Sequence, residues 1–328
     1  MGRTGIAVVC ALVGLSLISG CAMAADHVTV QLKWIHQAQF AGFYVAREQG
    51  YYEEEGLEVE FVPGGVGIDI FAAVVDGAAD FSVVGADAVL IERARGVPIT
   101  AIATLYQINP FILVSFADSG IASPMDFVGR TVSMTDDSLP QFSAMLDNVG
   151  VDLGDLTLVP YTYDDTPFLT GDVDVSISFA AGSLLPLREK IGDRVLNIVW
   201  PDDYGVHFYS DTLIARDVFL QQRPELVVRF LRATIRGHEY ALDHPDAAVE
   251  ATMRYAVDQE RSVQTAMFEA SIPLIYTGLD RIGWMRSEIW KGMYDVLWTH
   301  GILEDPFPVE DAYSLSYLEQ AWGTGANP

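Results

Sequence analysis

The chain is poor in cysteine and in lysine. Its 328 residues include two cysteines, Cys10 and Cys21, and three lysines, Lys33, Lys190 and Lys291. Cys10 lies in an apolar N-terminal stretch of the kind that is removed on export. The exported chain is therefore left with one cysteine, so it cannot form an internal disulfide, and sites built on several thiolates are excluded.

Positive charge is scarce as a whole. Nineteen Lys and Arg stand against 45 Asp and Glu, which gives a formal net charge of −26. A chain this acidic repels nucleic acid and anionic membrane surfaces, so we expect no nucleic-acid partner. The same field mildly opposes a free anionic ligand, although one local Arg can overcome it.

The motifs of common enzymes are missing as well. The sequence has no nucleophile elbow, no HExxH motif and no Cys/His spacing typical of a metal site. The glycine-rich run at 64–67 is not a phosphate loop, because no Lys-Ser/Thr pair follows it. We expect neither a metal nor a cofactor, while catalysis by carboxylates stays open as an enzyme class.

Residues 1–20 are predicted to be an export signal. Arg3 supplies its positive charge, and GIAVVCALVGLSLISG supplies an apolar core too short for a lasting membrane span. The following LISGC has the pattern of a bacterial lipobox, in which Cys21 is lipidated and becomes the new N-terminus. Cleavage after AMA at 22–24 is the alternative. We favour an exported protein that a lipid on Cys21 anchors to the cell membrane.

The rest of the chain alternates short apolar strands with amphipathic helices. HVTVQLKW and LEVEFVPGG alternate apolar and polar residues as strands do, and FAGFYVAREQGYYEEEG between them has a helical pattern. This order predicts an α/β fold with mainly parallel sheets. The pattern restarts near Ile121, and after GVHFYSDTLIA the chain becomes mostly helical. We therefore predict two α/β lobes and a helical C-terminal segment.

Four turns after predicted strands have the composition of a binding site. The first, Trp34 to Tyr44, holds a Trp, a His, two Gln and several aromatics; the others are PGGVG, GAD and SFAAGS. In open α/β sheets, ligands bind where the turns at the carboxyl ends of the strands converge. Glycines there allow close backbone approach, and helix starts offer free N–H groups. Flat faces are available from several rings: Trp34, Tyr44, Tyr106, Tyr161, Tyr163, Trp200 and Tyr204.

Structural roles compete with binding roles at several of these positions. Phe40 and Tyr44 lie four residues apart on a predicted helix, a spacing more typical of core residues, and we assign Phe40 to the core. His36 on its own is more typical of a hydrogen-bonded structural histidine than of a base. Asp164 and Asp165 resemble an acid–base pair, but neighbouring acids are expected by chance in so acidic a chain.

The segment LKWIHQAQFAGFYVAREQGYYEEEGLEVEFVPGG resembles the N-terminal signature of periplasmic binding proteins in the family shared with thiamine-pyrimidine synthase. The likeness continues in DFSVVGADAVLIERARGVPITAIAT, SPMDFVGRTVSM and RPELVVRFLRATIRGHEYALDHPDAAV, and covers most of the chain. These proteins are the solute-binding components of ABC importers. The resemblance implies a type II fold, in which two lobes joined by two hinge strands close on a ligand.

The same resemblance implies domain limits and partners. Lobe one is expected at 28–115 plus 211–328, and lobe two at 116–210. The implied partners are a small-molecule ligand and the permease and ATPase subunits of an ABC importer.

The composition of the first turn indicates a ligand class. HQAQFAG after Trp34 resembles bacterial binders of riboflavin and of the formylaminopyrimidine precursor of thiamine, whereas sulfonate and nitrate binders are usually less aromatic here. Stacking on an aromatic side chain contributes about 1–3 kcal/mol per base-like ring. We favour riboflavin, and the formylaminopyrimidine or hydroxymethylpyrimidine precursor is the alternative, followed by a sulfonate-type anion.

An enzyme of the same fold is a more distant alternative. The related pyrimidine synthases carry a cysteine-rich iron motif and a lysine that holds pyridoxal phosphate. This chain has no cysteine run, and VAREQGYY, where such a synthase has lysines, contains none. We therefore expect a binding protein and not an enzyme.

The predicted ligand contacts follow from the four turns and the rings near them. Trp34 and Tyr163 are expected to stack on the ligand, and Gln37, Gln39 and Asp87 to hydrogen-bond to it. The full predicted set is Trp34, Gln37, Gln39, Tyr44, Gly64, Gly65, Asp87, Tyr106, Tyr163, Ser183 and Tyr204.

Overall fold

Strand order divides the chain into two α/β lobes, as predicted. The computed structural model describes residues 1–2 and 24–323 and contains two five-stranded sheets. The expected export signal, apart from its first two residues, and the expected lipidation site Cys21 lie outside the described residues. Within the described part of the chain, no helix has the length and apolarity to cross a membrane.

The sheet of lobe one has the strand order β2-β1-β3-β10-β4. Its strands are β1 (Asp26–Gln31), β2 (Leu57–Val62), β3 (Phe81–Val84), β4 (Ile99–Thr104) and β10 (Thr212–Arg216). Strand β1 pairs in parallel with both β2 and β3, whereas β10 runs antiparallel to β3 and β4. The alternation in LEVEFV explains β2, because Leu57 and Val59 are buried while Glu58 and Glu60 are exposed.

The sheet of lobe two has the strand order β7-β6-β8-β5-β9. Its strands are β5 (Phe111–Phe116), β6 (Thr131–Met134), β7 (Thr157–Pro160), β8 (Val175–Phe179) and β9 (Leu196–Val199). Strand β6 pairs in parallel with β7 and β8, whereas β5 runs antiparallel to β8 and β9. In each sheet, therefore, the antiparallel strand is the one that arrives from the other lobe.

The chain crosses between the lobes at residues 105–110 and 200–211. The two connections run side by side, since Leu105 N donates to Asp211 O at 2.8 Å and Ser210 N donates to Tyr106 O at 3.1 Å. Strand β5 belongs to the second sheet, so lobe two begins before residue 111 and not at 116 as the sequence suggested. The sequence could not show this, because the apolar runs of β4 and β5 do not reveal which sheet each strand joins.

Thirteen α-helices within residues 24–323 cover the sheets. They are α1 (Ala41–Glu48), α2 (Tyr51–Glu54), α3 (Ile70–Val75), α4 (Ala86–Ala94), α5 (Leu139–Val149), α6 (Thr166–Thr170), α7 (Leu184–Ile191), α8 (Asp217–Gln222), α9 (Pro224–Asp243), α10 (Pro245–Met253), α11 (Arg261–Ile275), α12 (Ser287–Thr299) and α13 (Ser316–Trp322). Pro224 opens α9, and the chain breaks at His244 before Pro245.

The C-terminal helices form the predicted helical segment and contact both lobes. Helix α12 packs against α4 of lobe one and α5 of lobe two, and α11 packs against α7 of lobe two. The ring of Trp290 in α12 is buried and stacks on Tyr313, with centroids 5.1 Å apart. This segment therefore connects the two lobes.

Helices α1 and α9 approach closely because each has a glycine at the contact. A Cβ at Gly42 would overlap the ring of His238, and a Cβ at Gly237 would overlap the backbone of Gly42. His238 is buried and lies 2.9 Å from the carbonyl of Thr234 through its Nδ1. Burial lowers the pKa of His238 to about 4, because the charged form would lose its hydration. A neutral histidine is thus part of the core of lobe one.

Candidate functional site

Turns at the carboxyl ends of the strands meet where the two lobes come together, and we call this boundary the cleft. The turn after β1 and the loop after β7 meet through the rings of Trp34 and Tyr163. Asp87 at the start of α4 faces Gln141 of α5 in lobe two, 3.4 Å from Oδ2 to Nε2. Ala181, in the turn after β8, packs into the hydrophobic core of lobe one. The lobes are therefore in contact around the cleft.

Large side chains, and not glycines, hold the turn at residues 32–40. The backbone N–H of Ala38 donates to Oε1 of Gln264 in α11 at 2.7 Å, and Gln264 is fully buried. His36 Nδ1 lies 2.9 Å from the hydroxyl of Tyr44 in α1. The turn is thus fixed from two helices, which explains why residues as large as these follow a strand. His36 has a hydrogen-bonding partner within the protein, as its structural interpretation requires.

Two of the predicted contact residues, Tyr44 and Tyr106, lie in the core of lobe one in this conformation. Tyr44 is buried and stacks on Tyr255 at 4.3 Å. Tyr106 is buried and its hydroxyl donates to Oγ of Ser271 at 2.7 Å. Burial raises the pKa of both hydroxyls. The two rings support the turn and the first connection and do not face the cleft; Phe40 is buried, as predicted.

A chain of polar side chains links the turn to the second connection between the lobes. Gln37 Nε2 donates to Gln39 Oε1 at 2.6 Å, and Gln39 Nε2 donates to Asp211 Oδ2 at 2.7 Å. The other oxygen of Asp211 lies 2.5 Å from Nζ of Lys33, and the Asp211 side chain is 2% exposed. A buried carboxylate needs such partners, because removing its charge from water costs several kcal/mol.

Lys33 and Asp211 were not among the predicted site residues. The sequence does contain a signal for Lys33, since it is one of only three lysines and directly follows an alternating strand. No comparable signal marks Asp211, which lies far away along the chain.

Gly64 allows the loop after β2 to touch the turn after β1. Its N–H donates to the carbonyl of Trp34 at 2.9 Å, and a Cβ at this position would overlap the backbone of Leu32. Gly65 follows at a φ of +148°, a conformation that residues with a side chain rarely adopt. The two predicted glycines therefore lie beside Trp34, where a larger residue would push the loop away.

Trp34 and Tyr163 face each other from opposite lobes. Their ring centroids are 6.3 Å apart and their planes differ by 26°. Residue Tyr163 is 67% exposed, so burial does not hold its ring in place. Its φ of 60° is the only positive φ at a non-glycine residue within the described chain. Such backbone conformations cost about 1–3 kcal/mol and cluster at functional sites.

The carboxylate of Asp87 lies at the contact between the lobes. Its Oδ1 accepts from Ala88 N at 2.9 Å, and its Oδ2 faces Gln141. Burial raises the pKa of Asp87; the nearby Asp137 carboxylate adds to this rise, whereas Lys33 opposes it. Among the predicted hydrogen-bonding groups, Asp87 is thus a half-buried carboxylate that contacts a side chain of the other lobe.

The remaining two predicted residues have local roles. Oγ of Ser183 lies 2.9 Å from Oγ of Ser178 and accepts from Phe179 N at 3.0 Å, so it closes the turn after β8. Tyr204 packs against lobe two, and its carbonyl accepts from Nδ2 of Asn148, close to the carboxyl end of α5. Gln141, which faces Asp87, lies near the other end of that helix. The structure therefore does not bring Tyr204 next to the other predicted contacts.

Several curated proteins align with most of this chain, among them the following three. The riboflavin-binding protein RibY of Chloroflexus aurantiacus is 26% identical over 306 residues, which cover 89% of this chain and 86% of the relative. The formylaminopyrimidine-binding protein of Halalkalibacterium halodurans is 25% identical over 300 residues, with 89% and 90% covered. The 4-amino-5-hydroxymethyl-2-methylpyrimidine phosphate synthase of Legionella pneumophila is 29% identical over 297 residues, with 89% and 92% covered.

Solved structures share the whole fold. The sulfonate-binding protein SsuA of Methylobacillus flagellatus superposes with a TM-score of 0.70 at 16% identity, covering 91% of this chain and 94% of that one. The predicted periplasmic-binding-protein fold is thereby confirmed. The family model described as NMT1/THI5 like matches residues 37–248, which is more than half of the 328 residues. The chain therefore belongs to the NMT1/THI5-like family, as its sequence motifs predicted.

Proposed function

We propose that the protein is the solute-binding component of an ABC importer and that it captures a flat heteroaromatic solute, preferably riboflavin, between Trp34 and Tyr163. The observation that carries the proposal is the pairing of these two rings from opposite lobes, with centroids 6.3 Å apart. Two ring planes that enclose a third need roughly 7 Å between them, twice a carbon–carbon contact of about 3.5 Å. A small opening of the lobes admits such a ring, and closing encloses it.

The polar groups beside the rings favour a neutral ligand. Gln37 and Gln39 are amides, which both donate and accept hydrogen bonds, as the edge of a heterocycle requires. Lys33 is already paired with the buried Asp211 at 2.5 Å, so a sulfonate would have to compete with that carboxylate. The overall net charge of −26 also disfavours an anionic ligand.

The formylated pyrimidine precursor of thiamine is the second candidate. One relative is named a riboflavin-binding protein and another a formylaminopyrimidine-binding protein, at 26% and 25% identity. Both ligands are flat heterocycles that suit the ring pair. We favour riboflavin because the turn HQAQFAG is closer in composition to the turn of riboflavin-binding lipoproteins than to that of the pyrimidine binders.

A synthase activity receives less support. The Legionella relative is named an enzyme. The segment in which related synthases carry lysines, however, spans the end of α1 and the start of α2 here and contains none. Arg47 near the end of α1 extends over the ring of Tyr255, 5.8 Å from its centroid, and cannot form a Schiff base. We therefore propose a binding protein. The absence of a new absorbance band on mixing with pyridoxal phosphate checks this point.

Export and lipid anchoring at Cys21 complete the proposal. They rest on the pattern LISGC after an apolar segment. We expect the mature protein in the membrane fraction of a bacterial host, with an intact mass that includes acyl chains on Cys21. Cys21→Ser should release it or leave it unprocessed. A mature chain that begins after Ala24 would show the alternative cleavage.

Ligand identity is tested by thermal shift of the mature chain. Riboflavin, the formylaminopyrimidine and an aliphatic sulfonate are compared at equal concentration, since a ligand that binds the folded state raises the melting temperature by mass action. The proposal expects the largest rise with riboflavin. A rise with the sulfonate alone would overturn the proposed ligand class, and a rise with the pyrimidine alone would select the second candidate.

A further inference from the structure

We propose that Asp165 is a positioning residue for ligand binding: together with Tyr161 and Lys190, it braces the loop that presents Tyr163 to the cleft. The inference rests on the proposed role of Tyr163 as a stacking wall. Nothing in the sequence distinguished Asp165 from its acidic neighbour Asp164.

Tyr163 needs a brace because neither burial nor backbone preference holds it. The residue is 67% exposed and its φ is 60°. A non-glycine residue in this region is destabilised by about 1–3 kcal/mol, so a free loop would relax to another conformation. In such a relaxed loop the ring would leave its position opposite Trp34.

One carboxylate connects the loop to the body of lobe two. The hydroxyl of Tyr161 donates to Oδ1 of Asp165 at 3.0 Å, and Nζ of Lys190 in α7 lies 2.6 Å from Oδ2. The Asp165 side chain is only 12% exposed, whereas Lys190 is half-exposed, so the carboxylate is held in place although the ion pair itself is partly screened by solvent. The ring of Tyr161 in turn contacts that of Tyr163, with centroids 5.6 Å apart. The brace therefore ends on the stacking ring itself.

Both ends of the loop are tied down around Tyr163. Before it, Tyr161 N donates to the carbonyl of Met134 at the end of β6, at 2.9 Å. After it, Oδ1 of Asp164 accepts from the N–H and the hydroxyl of Thr166 at 2.9 and 2.7 Å. Asp164 thus stabilises the start of α6, whereas Asp165 reaches across to α7. The two neighbouring acids have separate structural roles.

The electrostatics of the loop make Lys190 necessary to the brace. Two adjacent carboxylates repel each other in a chain with 45 acidic residues. Lys190 is one of three lysines, and its ammonium offsets this repulsion at the place where the loop meets α7. Without it, Asp165 would turn towards water and release Tyr161.

A double-mutant cycle tests whether Asp165 acts through Tyr163. Riboflavin affinity of the mature chain is measured for Asp165→Asn and Tyr161→Phe, each in the natural sequence and in a Tyr163→Ala background. We expect each change to weaken binding about tenfold when Tyr163 is present, equivalent to about 1.4 kcal/mol, and less than about twofold when it is absent. The melting temperature of the unliganded protein should hardly change.

Asp118→Asn serves as the matched control. It removes an acid from lobe two whose carboxylate lies 3.8 Å from Arg194 and is 80% exposed, so affinity should stay the same. Equal losses for Asp165→Asn with and without Tyr163 would show that Asp165 acts elsewhere, which overturns the inference.

A ligand-free readout separates this inference from the proposed function. The Tyr163 ring protons lie near the Trp34 indole and should show its ring-current shift in the NMR spectrum of the unliganded protein. Asp165→Asn should move these resonances towards the chemical shifts of a tyrosine ring that is not stacked on an indole, and Asp118→Asn should leave them unchanged. A protein that fails to bind riboflavin but shows this change refutes the proposed ligand and keeps the brace. Unchanged resonances in Asp165→Asn refute the brace itself.

Discussion

The two walls of the cleft are built in different ways. On lobe one, Trp34 belongs to a turn that buried partners hold, among them Gln264 and Asp211. On lobe two, Tyr163 is exposed, has a strained backbone and depends on a half-exposed lysine for its support. The turn that carries Trp34 therefore packs against the hydrophobic core of lobe one, whereas Tyr163 lies on an exposed loop at the surface of lobe two. Changes to the first wall should reduce stability and affinity together, and changes to the second should reduce affinity alone.

Asp211→Ala should have the largest effect on the wall of lobe one. It leaves Lys33 without its anionic partner and Gln39 without its acceptor. Removing one member of a buried ion pair typically costs 3–5 kcal/mol, so we expect a loss of about 4 kcal/mol in the free energy of unfolding. Urea denaturation monitored by tryptophan fluorescence measures it. A loss below about 1 kcal/mol would mean that water already reaches this pair.

Acid should weaken lobe one through His238. Its pKa is lowered to about 4 in the folded protein from about 6.5, so between these values the unfolded chain binds a proton that the folded chain does not. The contribution to stability therefore falls as the pH drops from 6.5 to 4, by up to about 3 kcal/mol, and levels off below.

The measurement for His238 is the difference between the natural protein and His238→Gln. Carboxylates with lowered pKa values, such as Asp26 and Asp164, also stabilise the folded protein less in acid. Because both proteins contain these carboxylates, their contribution cancels in the difference. Parallel pH profiles for the two proteins would contradict the assignment.

Gln264→Leu should weaken the turn that carries Trp34. The buried N–H of Ala38 loses its acceptor, and a buried polar group without a partner costs about 1–3 kcal/mol. We expect a loss of about 2 kcal/mol in stability, together with weaker ligand binding. If Gln264→Leu lowers stability but leaves the affinity intact, the turn does not depend on this bond.

Lys190→Met should have the smallest effect on stability and so sharpen the contrast between the walls. Its ion pair with Asp165 is half exposed on the lysine side, and such pairs contribute about 0–1 kcal/mol. We expect a change of about 0.5 kcal/mol or less in the free energy of unfolding, with a clear loss of affinity. A large loss of stability would show that the loop of lobe two is part of the core, like the turn of lobe one.

Local patterns in the sequence predicted the architecture well. The alternation in LEVEFV, the proline at the start of α9 and the break before Pro245 were all visible in the residues. The sequence did not reveal the sheet to which β5 belongs. An apolar run predicts that a strand is buried, but it does not indicate which strands are its neighbours.

The site was harder to predict, because the same residue type suits a ligand and a core. Tyr44, Tyr106 and Tyr163 are chemically alike, yet the first two are buried and the third faces the cleft. The pairing of Lys33 with Asp211 and the positive φ of Tyr163 depend on contacts between distant segments. Neither feature leaves a local pattern in the chain.

The central claim is that Trp34 and Tyr163 together enclose a flat ligand, and quenching of flavin fluorescence tests it most directly. The mature chain from residue 22 is titrated with riboflavin, beside Trp34→Ala, Tyr163→Ala and the double variant. We expect saturable quenching at one flavin per chain, and affinity losses of about 1–3 kcal/mol for each single variant, the range for stacking on one ring. Quenching and affinity that survive in the double variant would contradict the claim.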